Sequence, residues 1–224
     1  MSTYKAIRKI PSAVQAEPHV IAALREIPVA ALSDNMHRNI GTVGLHPYHR
    51  PGKLTMAGTA VTARSRCGDN LTYLRALEFC RPGDVLLIDA GGDLNNAAVG
   101  GILSFYAAHI GVVGLVIDGA IRDVAEIRER DFPVYARGVT HRGPYKDGPG
   151  EINVPICVGG MVVNPGDIVV GDQDGLLAIP QEGVAALIDK ARAVLDAEAE
   201  TMRAMREGCW NRAFIDVLEA RCNN

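Results

Sequence analysis

The sequence predicts an α/β fold built around a βαβ unit, and three observations carry that expectation. Val85-Leu-Leu-Ile-Asp89 and Leu115-Val-Ile117 are short apolar runs bounded by glycine and proline turns, the pattern of buried strands. Between them, Ala97 to about Ile110 is an apolar segment of helical length, reached through Ala90-Gly91-Gly92-Asp93-Leu94-Asn95-Asn96. Strand, glycine turn, helix and strand in that order make the two strands parallel neighbours, with their carboxyl ends opening on one edge.

The flanking elements follow in chain order. Glu17-Pro18 introduces a helix over Val20 to Arg25, and Pro28 opens a second through Arg38 that carries Ser33-Asp34 as a structural pair against a neighbouring loop. Leu54 to Arg64 has a β-like mixture of Met56, Thr59, Val61 and Thr62 with small residues. Gly68-Asp69-Asn70 then caps a helix from Leu71 to Phe79, with Asp69 or Asn70 as the N-cap, and Pro82-Gly83-Asp84 turns into the first strand of the unit. The second strand is expected to stop at a turn over Asp118-Gly119.

After Asp123 the pattern gives a helix to about Arg130, a short strand over Pro133 to Tyr135, and a loop from Arg137 to Gly150 that is either a mobile lid or a solvated connection. Ile152 to Val158 alternates with Met161 to Val163 as paired strands. Pro165-Gly166-Asp167 leads into Ile168 to Val170, and Gly171-Asp-Gln-Asp-Gly175 into Leu176 to Ile179. A long helix over 181–207 carries Val184, Leu187, Ile188, Ala191, Val194 and Leu195 on one stripe, long enough to pack on a neighbouring subunit. Gly208 ends it, and Trp210 to Leu218 forms a last short helix.

Composition narrows the function. With 224 residues, 48% hydrophobic and 22% charged, the chain reads as one globular domain over 1–224. A net charge of -3 and no Lys/Arg-rich run argue against direct binding of nucleic acid. No apolar run approaches a membrane span, and the start, Met-Ser-Thr-Tyr-Lys-Ala-Ile-Arg-Lys, lacks a signal-peptide core, so cytoplasmic residence is the expectation. Cys67, Cys80, Cys157, Cys209 and Cys222 are widely spaced without a Cys-x-x-Cys pair, which leaves no zinc or disulfide pattern visible in the sequence. The histidines form no His-Glu-x-x-His motif either; His37 reads as a solvated helix residue and His109 as a packed or interface residue. A metal, if bound, would take oxygen ligands.

The candidate site lies at the end of the second strand, where Arg122 and Asp123 stand side by side, a position at which open α/β sheets keep ligands. Arg122 can clamp a carboxylate through two parallel hydrogen bonds, and Asp123 is a hard ligand for a divalent cation. The plain alternative is an ion pair that caps the next helix. Gly91-Gly92 on the same edge offers backbone N–H groups to an anion, or is simply a tight turn with positive φ; it is not a dinucleotide fingerprint.

Taken together, Leu32-Ser-Asp34, Gly58-Thr-Ala-Val-Thr62, Gly68-Asp-Asn70, Pro82-Gly-Asp-Val-Leu86, Val116-Ile-Asp-Gly-Ala-Ile-Arg-Asp123 and Pro165-Gly-Asp167 through Gly171-Asp-Gln-Asp-Gly175 resemble the RraA-like family over nearly the whole chain. That family includes 4-hydroxy-4-methyl-2-oxoglutarate/4-carboxy-4-hydroxy-2-oxoadipate aldolases and the ribonuclease-activity regulator RraA. The resemblance implies an α/β/β/α sandwich related to swivelling phosphohistidine domains, assembled as a homotrimer or homohexamer with sites between subunits.

It also implies a class II pyruvate lyase acting on a 4-hydroxy-2-keto acid, with oxaloacetate decarboxylation as a side activity. In that reading Asp123 binds Mg2+ or Mn2+, Arg122 contacts the pyruvyl group, and Gly91, Gly92, Asp93 and Leu94 receive its carboxylate. A carboxylate of the long helix in a neighbouring subunit, Glu198 or Glu200, would complete the catalytic set, unless Asp93 or a plain solvated helix face is the correct reading. The chain departs from the aldolase pattern at Gly101, 21 residues before Arg122, where an Asp or Glu is expected. It departs from the regulator by keeping Asp123. A non-catalytic regulator or binding protein on the same scaffold is the alternative function.

Overall fold

The computed structural model describes residues 6–36, 38, 40–50, 52 and 56–222. Chain order is β1 (Ile7–Lys9), α1 (Pro18–Arg25), α2 (Val29–Asp34), β2 (His46–Pro47), β3 (Met56–Ser65), α3 (Leu71–Ala76) with a 3-10 turn over Leu77–Phe79, β4 (Asp84–Asp89), β5 (Ala97–Val99), α4 (Gly101–His109), β6 (Gly114–Ile121), α5 (Val124–Arg128), β7 (Val134–Val139), β8 (Gly150–Ile152), β9 (Ile156–Val158), β10 (Met161–Val163), β11 (Ile168–Gly171), β12 (Leu176–Ile179), α6 (Val184–Arg206) and α7 (Ala213–Cys222).

Alternation along the strands sorts their side chains into three cores and so fixes the layers. In β4, Leu86 and Ile88 face a core shared with α3, α4 and α5 through Tyr73, Leu103, Ala107 and Ile127. Val85 and Leu87 of the same strand face the opposite way, against Val158 of β9, Val163 of β10 and Val169 of β11. Neighbouring Ile168 and Val170 then point outward to Leu24 of α1, Leu32 of α2 and Ile188 of α6. Helix, sheet, second strand layer and helix therefore stack in that order, a mixed α/β architecture. Each fully buried Leu or Ile in these cores contributes about 1.5–3 kcal/mol.

The main sheet runs β1-β8-β3-β4-β6-β7-β2, with β3, β4, β6 and β7 parallel. The register places Val85 opposite Gly114 and Asp89 opposite Asp118, so β4 and β6 are the expected parallel neighbours.

Several boundaries differ from expectation. The strand predicted to stop at Asp118-Gly119 continues as β6 to Ile121. Asp118 is tolerated there because its Oδ1 accepts from Arg137 Nε at 2.5 Å and its Oδ2 from Gly159 N at 2.7 Å, so the buried charge is matched inside the strand. Gly119 is a packing glycine, since a Cβ there would sit 2.8 Å from the Ala90 Cβ. The segment predicted as one helix from Ala97 splits: Ala97 to Val99 pair with the end of β6 as β5, and the helix begins only at Gly101. β7 extends to Val139, past the expected loop start at Arg137. The second helix ends at Asp34 rather than Arg38. The readings at His37 and Leu54 lie outside the described residues.

Candidate functional site

Asp123 follows β6 by two residues and sits in the left-handed region, φ 61 and ψ 37, before the first turn of α5. Among non-glycine residues Asp is one of the few that enters this region readily. The conformation turns its side chain away from α5, whose N–H groups it does not cap, toward the start of α4. There Asp123 Oδ2 accepts a hydrogen bond from Gly101 N at 2.9 Å, while Arg122 N donates to Val99 O at 3.0 Å. Two bonds thus hold the Arg122-Asp123 corner to the β5–α4 junction.

That junction is glycine for reasons of space. A Cβ on Gly100 would lie 2.6 Å from Asp123 Oδ2 and 3.0 Å from Arg122 Cγ. A Cβ on Gly101 would collide with the Glu126 carboxylate, which is ion-paired to Arg130. Arg130 in turn donates to Gly101 O at 3.1 Å and to Ser104 Oγ at 3.3 Å, tying α5 to the first turn of α4.

Arg122, Asp123 and Gly100 form one wall of a cavity of about 270 Å³. Leu74, Leu77, Leu103 and Tyr106 form an apolar wall, and Asn70 and Lys146 add polar groups from two other segments. Lys146 lies in the connection after β7, which is pinned rather than free. Tyr145 N donates to Gly68 O at 2.8 Å, and Asp147 N and Gly148 N both donate to the buried carboxylate of Asp69, at 2.6 and 3.0 Å. Asp69 Oδ1 also caps α3 by accepting from Leu71 N at 3.0 Å.

Arg122 and Asp123 are 42% and 44% exposed, and their closest N–O separation is 3.7 Å, so each still reaches solvent or a ligand. Two cations against one carboxylate favour an anionic guest. Among the described residues no group of three His, Cys, Asp or Glu could hold a metal by itself. Asp123, half exposed, is the one carboxylate among the residues that line the cavity, and a single carboxylate oxygen ligand is compatible with a hard divalent cation that completes its shell with ligand and solvent oxygens.

The structure therefore brings Arg122 and Asp123 to one cavity, and places the other predicted residues elsewhere. Gly91 and Gly92 adopt φ of 66 and 71 in the turn after β4. Their N–H groups bond to Asp89 Oδ1 and Asp118 O, each at 3.0 Å, and Asp93 N bonds to Ala90 O at 3.3 Å. Asp93 Oδ1 accepts from Asn95, Leu94 is half exposed, and none of the four residues lines the cavity with Arg122. Glu198 and Glu200 sit on the exposed second half of α6, where Glu200 pairs with Arg203 at 2.6 Å. Because α6 packs on α1 and α2 in the opposite outer layer, neither glutamate meets Arg122 within one chain. His109 is an exposed residue stacked on Phe105. Sequence reasoning missed Asn70 as a wall residue, Lys146, and Gly100; the Gly100-Gly101 pair ahead of Ile102 was the readable signal.

An RraA-like family model, described as aldolase/RraA, matches residues 29–178. A protein named putative 4-hydroxy-4-methyl-2-oxoglutarate aldolase, from Halalkalibacterium halodurans, is 38% identical over 207 residues, covering 91% of this chain and 97% of its own. A 4-hydroxy-4-methyl-2-oxoglutarate aldolase from Thermus thermophilus is 38% identical over 130 residues, covering 58% of this chain and 79% of its own. Among solved structures, that of a protein described as the RNA-processing inhibitor RraA, from the same Thermus species, superimposes with a TM-score of 0.62 at 34% identity, covering 68% of this chain and 92% of the other.

Proposed function

The chain belongs to the RraA-like family of aldolase and RraA proteins, and from that premise we propose that it is a divalent-metal-dependent carbon–carbon lyase. Its substrate would be a 4-hydroxy-2-keto acid of the 4-hydroxy-4-methyl-2-oxoglutarate or 4-carboxy-4-hydroxy-2-oxoadipate type, and its product pyruvate. The observation that carries the reading is the convergence of Arg122 and Asp123 on one ligand-sized cavity, with Gly100 leaving room for both.

The side chains divide the work. Arg122 takes an oxygen pair of the keto acid and stabilises the negative charge that develops on its keto oxygen as the C3–C4 bond breaks. Asp123 would hold Mg2+ or Mn2+, which supplies Lewis-acid polarisation of that carbonyl. Leu77 and Leu103 give the cavity a buried apolar lining, which lowers the local dielectric and strengthens these charge interactions. A base must accept the C4 hydroxyl proton, either a water on the cation or a carboxylate beside it, and for the carboxylate we assign Glu198 or Glu200 of the partner subunit, with α6 reaching across in a homotrimer or homohexamer of single-domain chains. Loss of CO2 from oxaloacetate passes through the same enolate, so decarboxylation accompanies the main activity. The loop from Gly91 to Leu94 is left out of this reading, because three of its N–H groups are already bonded within the chain. We place the protein in the cytoplasm; among the described residues no helix is long and apolar enough to cross a membrane.

The test is a lactate-dehydrogenase-coupled pyruvate assay with 4-carboxy-4-hydroxy-2-oxoadipate and with oxaloacetate, in Mg2+, Mn2+ or EDTA. Metal-dependent pyruvate release supports the lyase. A second reading, a non-catalytic regulator, is favoured by the likeness to the Thermus RNA-processing inhibitor and by glycine at position 101. Silence on both substrates in every cation condition would mean that the glycine at position 101 goes with a changed function, on another small acid or on a protein partner.

A further inference from the structure

Lys146 is the second cation on the cavity that Arg122 lines, and its side chain is exposed. Among the described residues no hydrogen bond or ion pair holds its ammonium. The carboxylates near it in the chain and across the turn are already taken: Asp147 pairs with Arg66 at 3.2 Å, and Asp69 accepts from the backbone of Leu71, Asp147 and Gly148. The charge is therefore left for a guest.

The backbone that carries it is fixed on both sides. Tyr145 N donates to Gly68 O at 2.8 Å, Tyr145 O accepts from Asn70 N at 3.0 Å, and Asp147 N donates to Asp69 Oδ2 at 2.6 Å. Arg122 reaches the same segment: a Cβ on Gly143 would lie 3.1 Å from Arg122 Nη1, and Gly143 O is itself held by Asn96 Nδ2 at 2.6 Å. Two cations thus reach one cavity, Arg122 from the end of β6 and Lys146 from the pinned connection after β7.

A monocarboxylate bound to Arg122 leaves the Lys146 charge unmatched, whereas a dicarboxylate answers both. The ends are not equivalent. Arg122 presents a planar fork beside Asp123, which suits the 2-oxo acid end, and Lys146 offers a point charge on a flexible stem, which suits a carboxylate at the end of a chain.

Resting on the reading of this cavity as a 2-oxo acid site, we propose that Lys146 is a specificity-determining residue. Its ammonium pairs with the carboxylate at the far end of the acid held by Arg122, so that dicarboxylic 2-oxo acids are selected over monocarboxylic ones of the same length.

The probes are 2-oxoglutarate and 2-oxopentanoate, which share a five-carbon chain and the cation-chelating end and differ only in the far carboxylate. Titration calorimetry of each into the full chain with Mg2+ should show 2-oxoglutarate bound about tenfold tighter or more. In Lys146→Met the ratio should fall to about two or less, through weaker 2-oxoglutarate binding, with 2-oxopentanoate affinity and the thermal midpoint unchanged. Lys146→Arg keeps the charge and should keep most of the preference. Arg122→Met should weaken both acids alike, because both share that end; a loss confined to 2-oxoglutarate would put the far carboxylate on Arg122 and overturn the assignment. Equal binding of the two acids by the wild type overturns the proposal without any variant. So does a preference that survives Lys146→Met, or a loss in that variant shared equally by both acids, which would assign Lys146 to a general positive field. Failure of the wild type to bind 2-oxoglutarate, 2-oxopentanoate and pyruvate alike would instead defeat the acid-site reading, and this inference with it.

Discussion

Two neighbouring regions of this molecule use the same residue types for opposite ends. Each has a glycine pair and an Arg–Asp pair. At the first, Gly91 and Gly92 have positive φ and turn the chain out of β4, beside Asp118 and Arg137, whose N–O contact is 2.5 Å with Asp118 only 9% exposed. At the second, Gly100 and Gly101 make room where the Asp123 and Glu126 side chains crowd them, and Arg122 and Asp123 stand 3.7 Å apart and nearly half exposed. In the closed pair both carboxylate oxygens are engaged inside the fold, one by Arg137 and the other by Gly159 N, and the carboxylate is buried away from ligands. A loose pair on a cavity wall can still meet one. Saturation of hydrogen bonds, rather than residue identity, separates the structural region from the reactive one.

Substitutions at the two pairs should therefore diverge. Removing the closed pair's cation with Arg137→Ala leaves the Asp118 carboxylate buried and uncompensated, and about 3 kcal/mol of stability should disappear in a urea titration. Arg122→Ala should leave the urea midpoint nearly unchanged and lower kcat/KM for pyruvate release by about 100-fold or more. If Arg122→Ala unfolded the protein and Arg137→Ala only slowed it, the comparison would be reversed.

The glycines give the next largest contrast. Gly91→Ala forces a Cβ into a left-handed conformation and should cost about 1–2 kcal/mol of stability, with turnover of the folded fraction preserved. Gly100→Ala meets no such strain but presses on Asp123 Oδ2 and Arg122 Cγ, and should reduce turnover about tenfold at little change in thermal midpoint. Lost turnover in a well-folded Gly91→Ala would return the carboxylate-receiving role to that loop.

A smaller effect belongs to the closed side of the fold. Burial lowers the pKa of His49 below its ordinary 6.5, against a weaker opposing hydrogen bond with Val134 O. The unfolded chain thus binds this proton more readily than the folded one. The neutral imidazole's contribution is complete above about pH 6.5 and is lost as pH falls below it. The thermal midpoint should drop between pH 7 and pH 5, and His49→Gln should flatten that slope.

What could be read from the sequence divides along the same physical line. Val85 to Ile88 and Leu115 to Ile117 were legible because continuous apolar runs between turns have one good interpretation, and Arg122-Asp123 because it follows such a strand. Asp118-Gly119 was misread because its turn chemistry is overridden by partners, Arg137 and Gly159, that lie far away in the chain. Ala97 to Val99 is too short for periodicity to separate strand from helix, and only pairing with β6 decides it. Lys146 was visible in the loop after Arg137, but its place on the cavity was not, because that depends on Gly68 and Asp69 pinning the residues on either side of it. The layer order came from the family resemblance, whereas βαβ reasoning reached only one helix-on-sheet layer.

The most direct measurement compares wild type and Asp123→Asn side by side for Mg2+-dependent pyruvate release, with thermal midpoint and oligomeric state recorded on the same samples. An asparagine oxygen can still accept from Gly101 N, so the fold and assembly should persist. Turnover and divalent-cation binding should both be lost, since a neutral amide is a poor ligand for a hard cation. Wild-type turnover in a folded Asp123→Asn protein, or collapse of the fold without this carboxylate, would contradict the account.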